Sequence, residues 1–319
     1  MKRINNLYSK LIALENLYAA DNKAQKGKIN QYGVILHNEK RESNLLVLHE
    51  MLANKTYQTS NYDVFKVYEP KEREVYRLPY FPDRITHHAI MNVLEPYFVN
   101  TFTADTYSCI KKRGIHKLLY KLKKDLTNTA QTQYCLKLDI KKFYPSIDHD
   151  VLKGLLRKKF KDQDLLWLLD EIIDSAPGLP IGNYLSQYLA NFYLTYFDHW
   201  IKEHKRVKYY YRYADDIVIL DSDKPQLHAL LQDIKLYLSA LKLQVKENHQ
   251  VFPVASRGID FVGYVFYHSH IKIRKSIKKR FARKLHKNLD HKSTASYLGW
   301  FSHCNAKHLT KKLLNDAQV

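Results

Sequence analysis

Cysteine is scarce in this chain of 319 residues. The three present, Cys109, Cys135 and Cys304, are too few and too widely spaced for a disulfide framework or a four-thiolate zinc site, so packed free thiols are expected. Long apolar runs are missing as well. No stretch reaches the roughly 18 apolar residues of a membrane span. The opening MKRINNLYSKLIALENLY carries a basic pair but neither a long apolar core nor a small-residue cleavage site, so a cytoplasmic protein is expected. Repeats and low-complexity segments are absent, which leaves a globular chain with 45% hydrophobic residues. Acids are the last shortage: 32 Asp and Glu stand against 52 Lys and Arg, a net charge of +20. Such an excess calls for a polyanionic partner. No strongly apolar helix face accompanies it, so nucleic acid fits better than an anionic membrane.

Periodicity orders the rest. Leu7, Leu11, Leu14 and Tyr18, then Leu45, Leu48 and Leu52, recur at helical spacing within residues 1–55. Residues 61–80 hold β-branched and aromatic residues around a polar turn and read as a hairpin. Asp83 is the expected cap of a helix through Ile85, Ile90 and Leu94. YCLKLD, 134–139, alternates like a strand, and a long helix is expected over 148–174. Pro177, Gly178 and Pro180 end it, and a second helix runs over about 183–201. Two apolar strands flank Ala214–Asp216, a helix covers 225–243, a short hairpin spans 251–273, and the tail is helical and basic. With no βαβ run, the fold class is α+β.

The chemistry concentrates in KYYYRYADDIVILDSD, 208–223, where Asp215 and Asp216 sit at a tight turn between apolar strands. Neighbouring strand residues point to opposite faces, so only a turn lets both acids approach one site. By itself the pair reads equally well as a solvated turn. A third acid changes the balance: Asp139 ends the apolar strand YCLKLD. Three converging carboxylates can hold two divalent cations about 3.5–4 Å apart, the arrangement that stabilises the attacking and leaving oxygens of phosphoryl transfer. Magnesium, a hard ion with oxygen ligands, is the natural choice, and Mn²⁺ can substitute.

These residues carry a resemblance. Tyr213–Asp216 resembles the third palm motif of reverse transcriptases, and LKLDIKKFYPSID, 136–148, resembles their first. GLPIGNYLSQYLANFYL, 178–194, is similar to the motif whose helix lies under the template–primer base pair. KEREVYRLPYFPDRITHHAI, 71–90, resembles the fingers block, SCIKKRGIHKLL, 108–119, the segment after it, and FVGYVF, 261–266, the primer grip. The blocks follow the family's order over roughly residues 70–300. The resemblance implies a right-hand polymerase fold. Residues 1–133 would be N-terminal helices and fingers, 134–268 a palm with a helical insert at about 148–200, and 269–319 a short basic thumb. It implies RNA-templated DNA synthesis from dNTPs. Asp139, Asp215 and Asp216 would be catalytic and, with the Ile140 carbonyl, ligands of two Mg²⁺. The same carry-over makes Tyr144 the gate against a ribose 2′-OH and puts Lys71, Arg73, Ile181 and Gly182 at the incoming nucleotide, with Asn183, Ser186 and Gln187 at nucleic acid.

One departure is informative. Most reverse transcriptases have Gln-Gly and then Ser-Pro in the helix motif, whereas this chain has Ile181-Gly182-Asn183 and Ser186-Gln187. That form resembles the enzymes of diversity-generating retroelements, which copy a template-repeat RNA with errors at adenines. The likeness implies a basic, oligomeric accessory variability determinant as partner, beside template RNA, primer and cDNA. Another bacterial reverse transcriptase of the group II intron, retron or phage-defence kind is the alternative, and a catalytically inactive nucleic-acid-binding palm a further one. No RNase H or cysteine-rich endonuclease segment is recognisable.

The tail points to nucleic acid independently. Residues 272–292 hold ten Lys and Arg against one acid, Asp290, and Ile277, Phe281, Leu285 and Leu289 repeat every fourth residue. Such a helix packs by one edge and offers Lys275, Lys278, Lys279 and Arg283 to phosphates.

Overall fold

The computed structural model describes residues 3–68, 72–285 and 290–316. The chain divides into two compact units. One joins Met1–Thr103, Lys141–Asp198 and Leu238–Leu243, and the other joins Ala104–Ile140, His199–Tyr237 and Gln244–Val319.

In the first unit, helices Tyr8–Ile12 and Leu14–Gln25 pack on the long helix Ile85–Thr101, and helices Tyr32–Glu39 and Arg41–Ala53 pack on the turn Tyr80–Arg84 that leads into it. Leu45, Leu48 and Leu52 are fully buried, as their spacing requires. The earlier stripe holds only to Leu11. The backbone is extended at Ala13 (ψ 135°), which resets the helical phase, and Leu17 and Ala20 take the buried places instead of Leu14 and Tyr18. Phe98 anchors the centre, with the rings of Phe192 and Phe160 at 5.3 and 5.9 Å.

Aspartates decide where several elements begin. The expected helix over 148–174 is two, His149–Lys159 and Gln163–Asp174. Asp162 splits it: one carboxylate accepts from Leu165 N (3.2 Å) as a cap and from Leu7 N and Tyr8 N at 2.7 and 3.0 Å. Asp83 is buried and is not a cap; its Oδ1 accepts from Tyr57 OH (2.8 Å) and Ser60 N (3.1 Å). Strands β1 (Asp63–Val67) and β2 (Arg73–Arg77) form the expected antiparallel hairpin.

The second unit is built on strands β3 (Tyr134–Asp139), β4 (Tyr209–Tyr213), β5 (Asp216–Asp221) and β6 (Gln250–Pro253), in the order β4-β5-β3-β6 and all antiparallel. Both faces are buried, which is why β5 reads as the continuous run Ile217–Leu220. Cys135, Tyr211 and Val218 share a core with Leu119, Phe252 and Phe281. The expected hairpin over 251–273 is more elaborate. Its start is β6, beside β3, and β7 (Ile259–Phe261), β8 (Tyr264–Phe266) and β9 (Ile271–Ile273) make a separate three-stranded sheet. Helix Lys275–Leu285 docks through buried Phe281, stacked on Tyr297 at 4.9 Å. Leu289, the last residue of the expected stripe, lies outside the described residues.

Asp21 is a fully buried acid of the first unit. Burial alone would raise its carboxyl, but bonds from His37, Tyr80, Gln25 and Arg41 hold it well below the usual range. Arg41 Nε stands at 2.6 Å. Asp21→Asn keeps the shape and leaves Arg41 without its charge partner, so unfolding stability should fall by on the order of 3 kcal/mol in urea titration at neutral pH. Because the native carboxyl is depressed, the difference from wild type should be complete above about pH 4 and narrow as pH falls below it. Equal midpoints at pH 7 would remove Asp21 as an anchor.

Candidate active site

Strands β4 and β5 are joined by two residues, with Tyr213 and Asp216 directly paired across the ladder. Ala214 takes the left-handed conformation (φ 55°), and the buried Arg212 donates from Nη1 to its carbonyl at 3.1 Å. This turn sets Asp215 at the tip and Asp216 at the first strand position. On the other side Asp139 is the cross-strand partner of Asp216. Ile140, buried, donates its N–H to Asp215 O at 3.3 Å. Register and turn together bring Asp139, Ile140, Asp215 and Asp216 to one end of one sheet.

The electrostatics follow from that crowding. Burial raises the Asp215 carboxyl, and the charges of Asp139 and Asp216 raise it further. Asp216 is also raised, by burial and by Asp139, against the opposing pull of Lys137, Arg274 and Lys246. Lys246 was not legible as a site residue. It stands 107 positions from Asp139, yet its Nζ donates to Asp139 Oδ1 at 2.5 Å and its N to Asp139 O at 2.8 Å. An ammonium already occupies one carboxylate, and the other two are destabilised by burial and like charge. Hard oxygen donors in that state fit a divalent cation. Among the described residues, no three acidic, imidazole or thiol side chains are grouped to hold a metal ion, and Asp139 is paired with Lys246.

The remaining candidates lie in the first unit. Arg73 is exposed at the start of β2, opposite Val67, and Lys71 lies outside the described residues. Ile181 is half-buried and its carbonyl accepts from Tyr76 N at 2.8 Å, which ties it to β2. Gly182 (φ 123°) makes this possible, for a Cβ there would lie 2.5 Å from Tyr76 O. Asn183 is buried and donates to Tyr62 OH at 2.9 Å; Ser186 is buried and Gln187 exposed. The Tyr144 ring is half-buried, and its carbonyl accepts from Leu179 N at 2.9 Å. That bond is open only to glycine at 178 (φ 61°), where a Cβ would meet Tyr144 O at 2.6 Å. Lys275, Lys278, Lys279 and Arg283 are all exposed on helix Lys275–Leu285 of the second unit, while Phe281 faces the core.

A family model described as reverse transcriptase (RNA-dependent DNA polymerase) matches residues 69–266. The chain belongs to the reverse transcriptase family. The matched span contains Asp139, Tyr144, Ile181 and Asp215–Asp216 and stops short of the basic helix. Protein YkfC of Escherichia coli (strain K12) is 23% identical over 248 residues, 62% of this chain and 65% of that protein. The group II intron-encoded protein LtrA of Lactococcus lactis subsp. cremoris is 21% identical over 343 residues, 83% of this chain and 55% of its own length. The retron Ec73 reverse transcriptase of Escherichia coli is 26% identical, over 64% of this chain and 71% of that one. This chain thus spans somewhat under two thirds of the length of YkfC and LtrA. Among solved structures, apo telomerase from Candida tropicalis superposes with a TM-score of 0.52 at 13% identity, covering 69% of this chain and 49% of that one, a likeness of fold. Among the described residues no helix is long and apolar enough to cross a membrane.

The Gly182 contact generates a test. Gly182→Ala must move Tyr76 O and adopt a strained φ, a cost of about 1–3 kcal/mol. The denaturation midpoint should drop accordingly, and the Tyr76 amide should exchange faster in hydrogen-exchange measurements. Unaltered exchange at Tyr76 would show that the hairpin does not depend on this turn.

Proposed function

We propose that the protein is an RNA-directed DNA polymerase that extends a 3′-hydroxyl along RNA and releases pyrophosphate. The observation that carries this reading is the pair of raised, half-buried carboxyls at Asp215 and Asp216, set against Asp139 by strand register. The three carboxylates and the Ile140 carbonyl would hold two Mg²⁺ ions, with Mn²⁺ as a substitute, and bound metal supplies charge stabilisation to the transferring phosphoryl group. Lys246 neutralises Asp139 until an ion replaces it. In the right-hand arrangement β1–β2 belong to the fingers, the β3–β6 sheet to the palm and helix Lys275–Leu285 to a short thumb. Arg73, with Lys71, receives the triphosphate, and Tyr144 excludes a 2′-OH. Ile181 and Gly182 border the nascent pair, and Lys275, Lys278, Lys279 and Arg283 follow the phosphates. Asn183, being spent on Tyr62, acts on nucleic acid by positioning its loop; Ser186 and Gln187 belong to the same helix start.

Primer extension on an RNA template tests the core of this proposal. Asp216→Asn should lower the rate by orders of magnitude while leaving the melting temperature near or above that of wild type, since a repulsive charge is removed. A folded Asp216→Asn protein extending primers at the wild-type rate would falsify the metal assignment.

The finer reading is a diversity-generating retroelement enzyme, which makes adenine-mutagenic cDNA from a template-repeat RNA with a basic, oligomeric accessory protein. Ile181 supports it: an alkyl side chain offers packing but no hydrogen bond where most relatives carry Gln. The likeness to LtrA and to the Ec73 retron enzyme supports a second reading, a group II intron-like or retron-type reverse transcriptase. Fidelity separates them. On one RNA at matched dNTPs, the wild type should misincorporate most often opposite adenine, and Ile181→Gln should reduce those errors several-fold, the worth of about 1 kcal/mol for one polar contact. Errors spread evenly over the four template bases would favour the second reading.

A further inference from the structure

Residues 29–50 of the first unit carry a concentration of exposed apolar side chains. Tyr32 is 76% exposed and Ile29 63%, while Ile35, Leu36, Leu46 and Val47 stand between 44% and 50%. Single exposed leucines are ordinary on a globular protein, but a set of large apolar residues on one face marks an interaction surface. Two helices bear the set, Tyr32–Glu39 and Arg41–Ala53, with only Lys40 between them (φ −131°). Val34, His37, Leu45, Leu48 and Leu52 are buried, and Arg41 reaches inward to Asp21. Together they recur every three or four residues, so one inward stripe continues across the break. Tyr32, Leu36, Glu39, Ser43, Leu46 and Glu50 recur by the same spacing and are all exposed. The outward faces of the two helices therefore form one stripe as well.

Charge narrows what can cover it. The whole chain has 52 bases against 32 acids, whereas residues 29–50 have Lys40 and Arg41 against Glu39, Glu42 and Glu50. Arg41 is spent on Asp21, at 2.6 Å. The outward stripe itself carries two acids and no base, so a phosphate backbone gains nothing there. Two copies of a chain with a +20 excess repel each other over most of their surface, and on this face the repulsion is relieved.

The stripe is also complementary to itself. Arg41 lies at its midpoint. With a second copy turned end for end about a two-fold axis at that level, Ile35 and Leu36 face Leu46 and Val47 of the partner subunit. Tyr32 faces Glu50 of the partner subunit, a hydroxyl donor opposite a carboxylate. Glu39 faces Ser43 of the partner subunit, whose hydroxyl can turn to it from the Lys40 carbonyl that it meets at 3.0 Å within the chain. Apolar groups meet apolar groups, and neither acid meets an acid.

We propose that the protein forms a two-fold dimer by antiparallel pairing of the Tyr32–Ala53 helices with the same helices of a second copy. The paired segment is about 33 Å long. An interface of that size is at the small end of specific complexes, so the dissociation constant should be on the order of 10 µM.

Sedimentation velocity tests this on the whole chain, freed of RNA by nuclease and held at about 0.5 M salt to screen the excess charge. Monomer should predominate at about 1 µM and dimer at about 100 µM. Leu36→Glu and Leu46→Glu should each raise the dissociation constant about tenfold or more, since each substitution enters the interface twice. Both should keep the wild-type melting temperature, because the positions are exposed. If either unfolds, Val47→Glu takes its place. Leu236→Glu, at a leucine 74% exposed on helix Lys224–Ala240, should leave association unchanged. A mixture of Leu36→Glu and Leu46→Lys chains should recover the association that each lacks alone, because the new acid then faces the new base. A chain still monomeric at about 100 µM overturns the proposal. So does a dimer that the glutamate substitutions leave intact, one that Leu236→Glu weakens equally, or one that nuclease abolishes. Mixing without recovery overturns the antiparallel pairing. Primer extension takes no part in the readout, so the dimer stands or falls apart from the polymerase reading.

Discussion

Like-charge crowding at one end of one sheet is the constraint that the rest of the second unit answers. The β3–β5 register makes Asp139 and Asp216 partners, and the two-residue turn puts Asp215 beside them. With both faces buried, a one-residue slip would exchange side chains fitted to two different packed surfaces. The burial of Ile217–Leu220 therefore holds the acids together as firmly as any polar contact. Lys246 takes up part of the repulsion at Asp139, and Arg212 braces the left-handed Ala214 carbonyl. A strained turn and raised carboxyls persist because apolar packing on both faces over-determines them.

The first unit uses a different device, close backbone approach. Gly178 lets Leu179 N reach Tyr144 O, and Gly182 lets Ile181 bond to Tyr76. Two short loops and a hairpin are thereby held by main-chain bonds, leaving the Arg73 side chain exposed. Glycine at these points does what no packing residue could, since any Cβ would overlap a carbonyl.

Charge is distributed to match. The +20 excess is what remains after every acid is counted, so ion pairs within the chain leave it in place. Part of it stands on the exposed side of helix Lys275–Leu285, which docks through buried Phe281 with Ile277 and Leu285 packed beside it. Arg84 is different in kind: it is half-buried in a cavity, and no carboxylate among the described residues pairs with it.

Residue type and order by themselves determined the family, the strand carrying Asp139, the turn carrying Asp215 and Asp216, the β1–β2 hairpin and the amphipathic basic helix. All are local patterns, legible because period-2 and helical spacing and motif order need no knowledge of distant contacts. The expected Asp83 cap, the unbroken helix over 148–174 and the stripe through Tyr18 differ in the folded chain. In each case a partner far away in sequence, or a single reset of the backbone, won over local pattern: Tyr57 and Ser60 for Asp83, Leu7 and Tyr8 for Asp162, the extended Ala13 for the stripe. Only the tertiary structure decided that Lys246 meets Asp139 and that Arg84, His87 and the His88–Tyr184 stack line one cavity. The reason is physical: a charge's cost depends on which groups surround it once water is gone, and those groups arrive from everywhere in the chain.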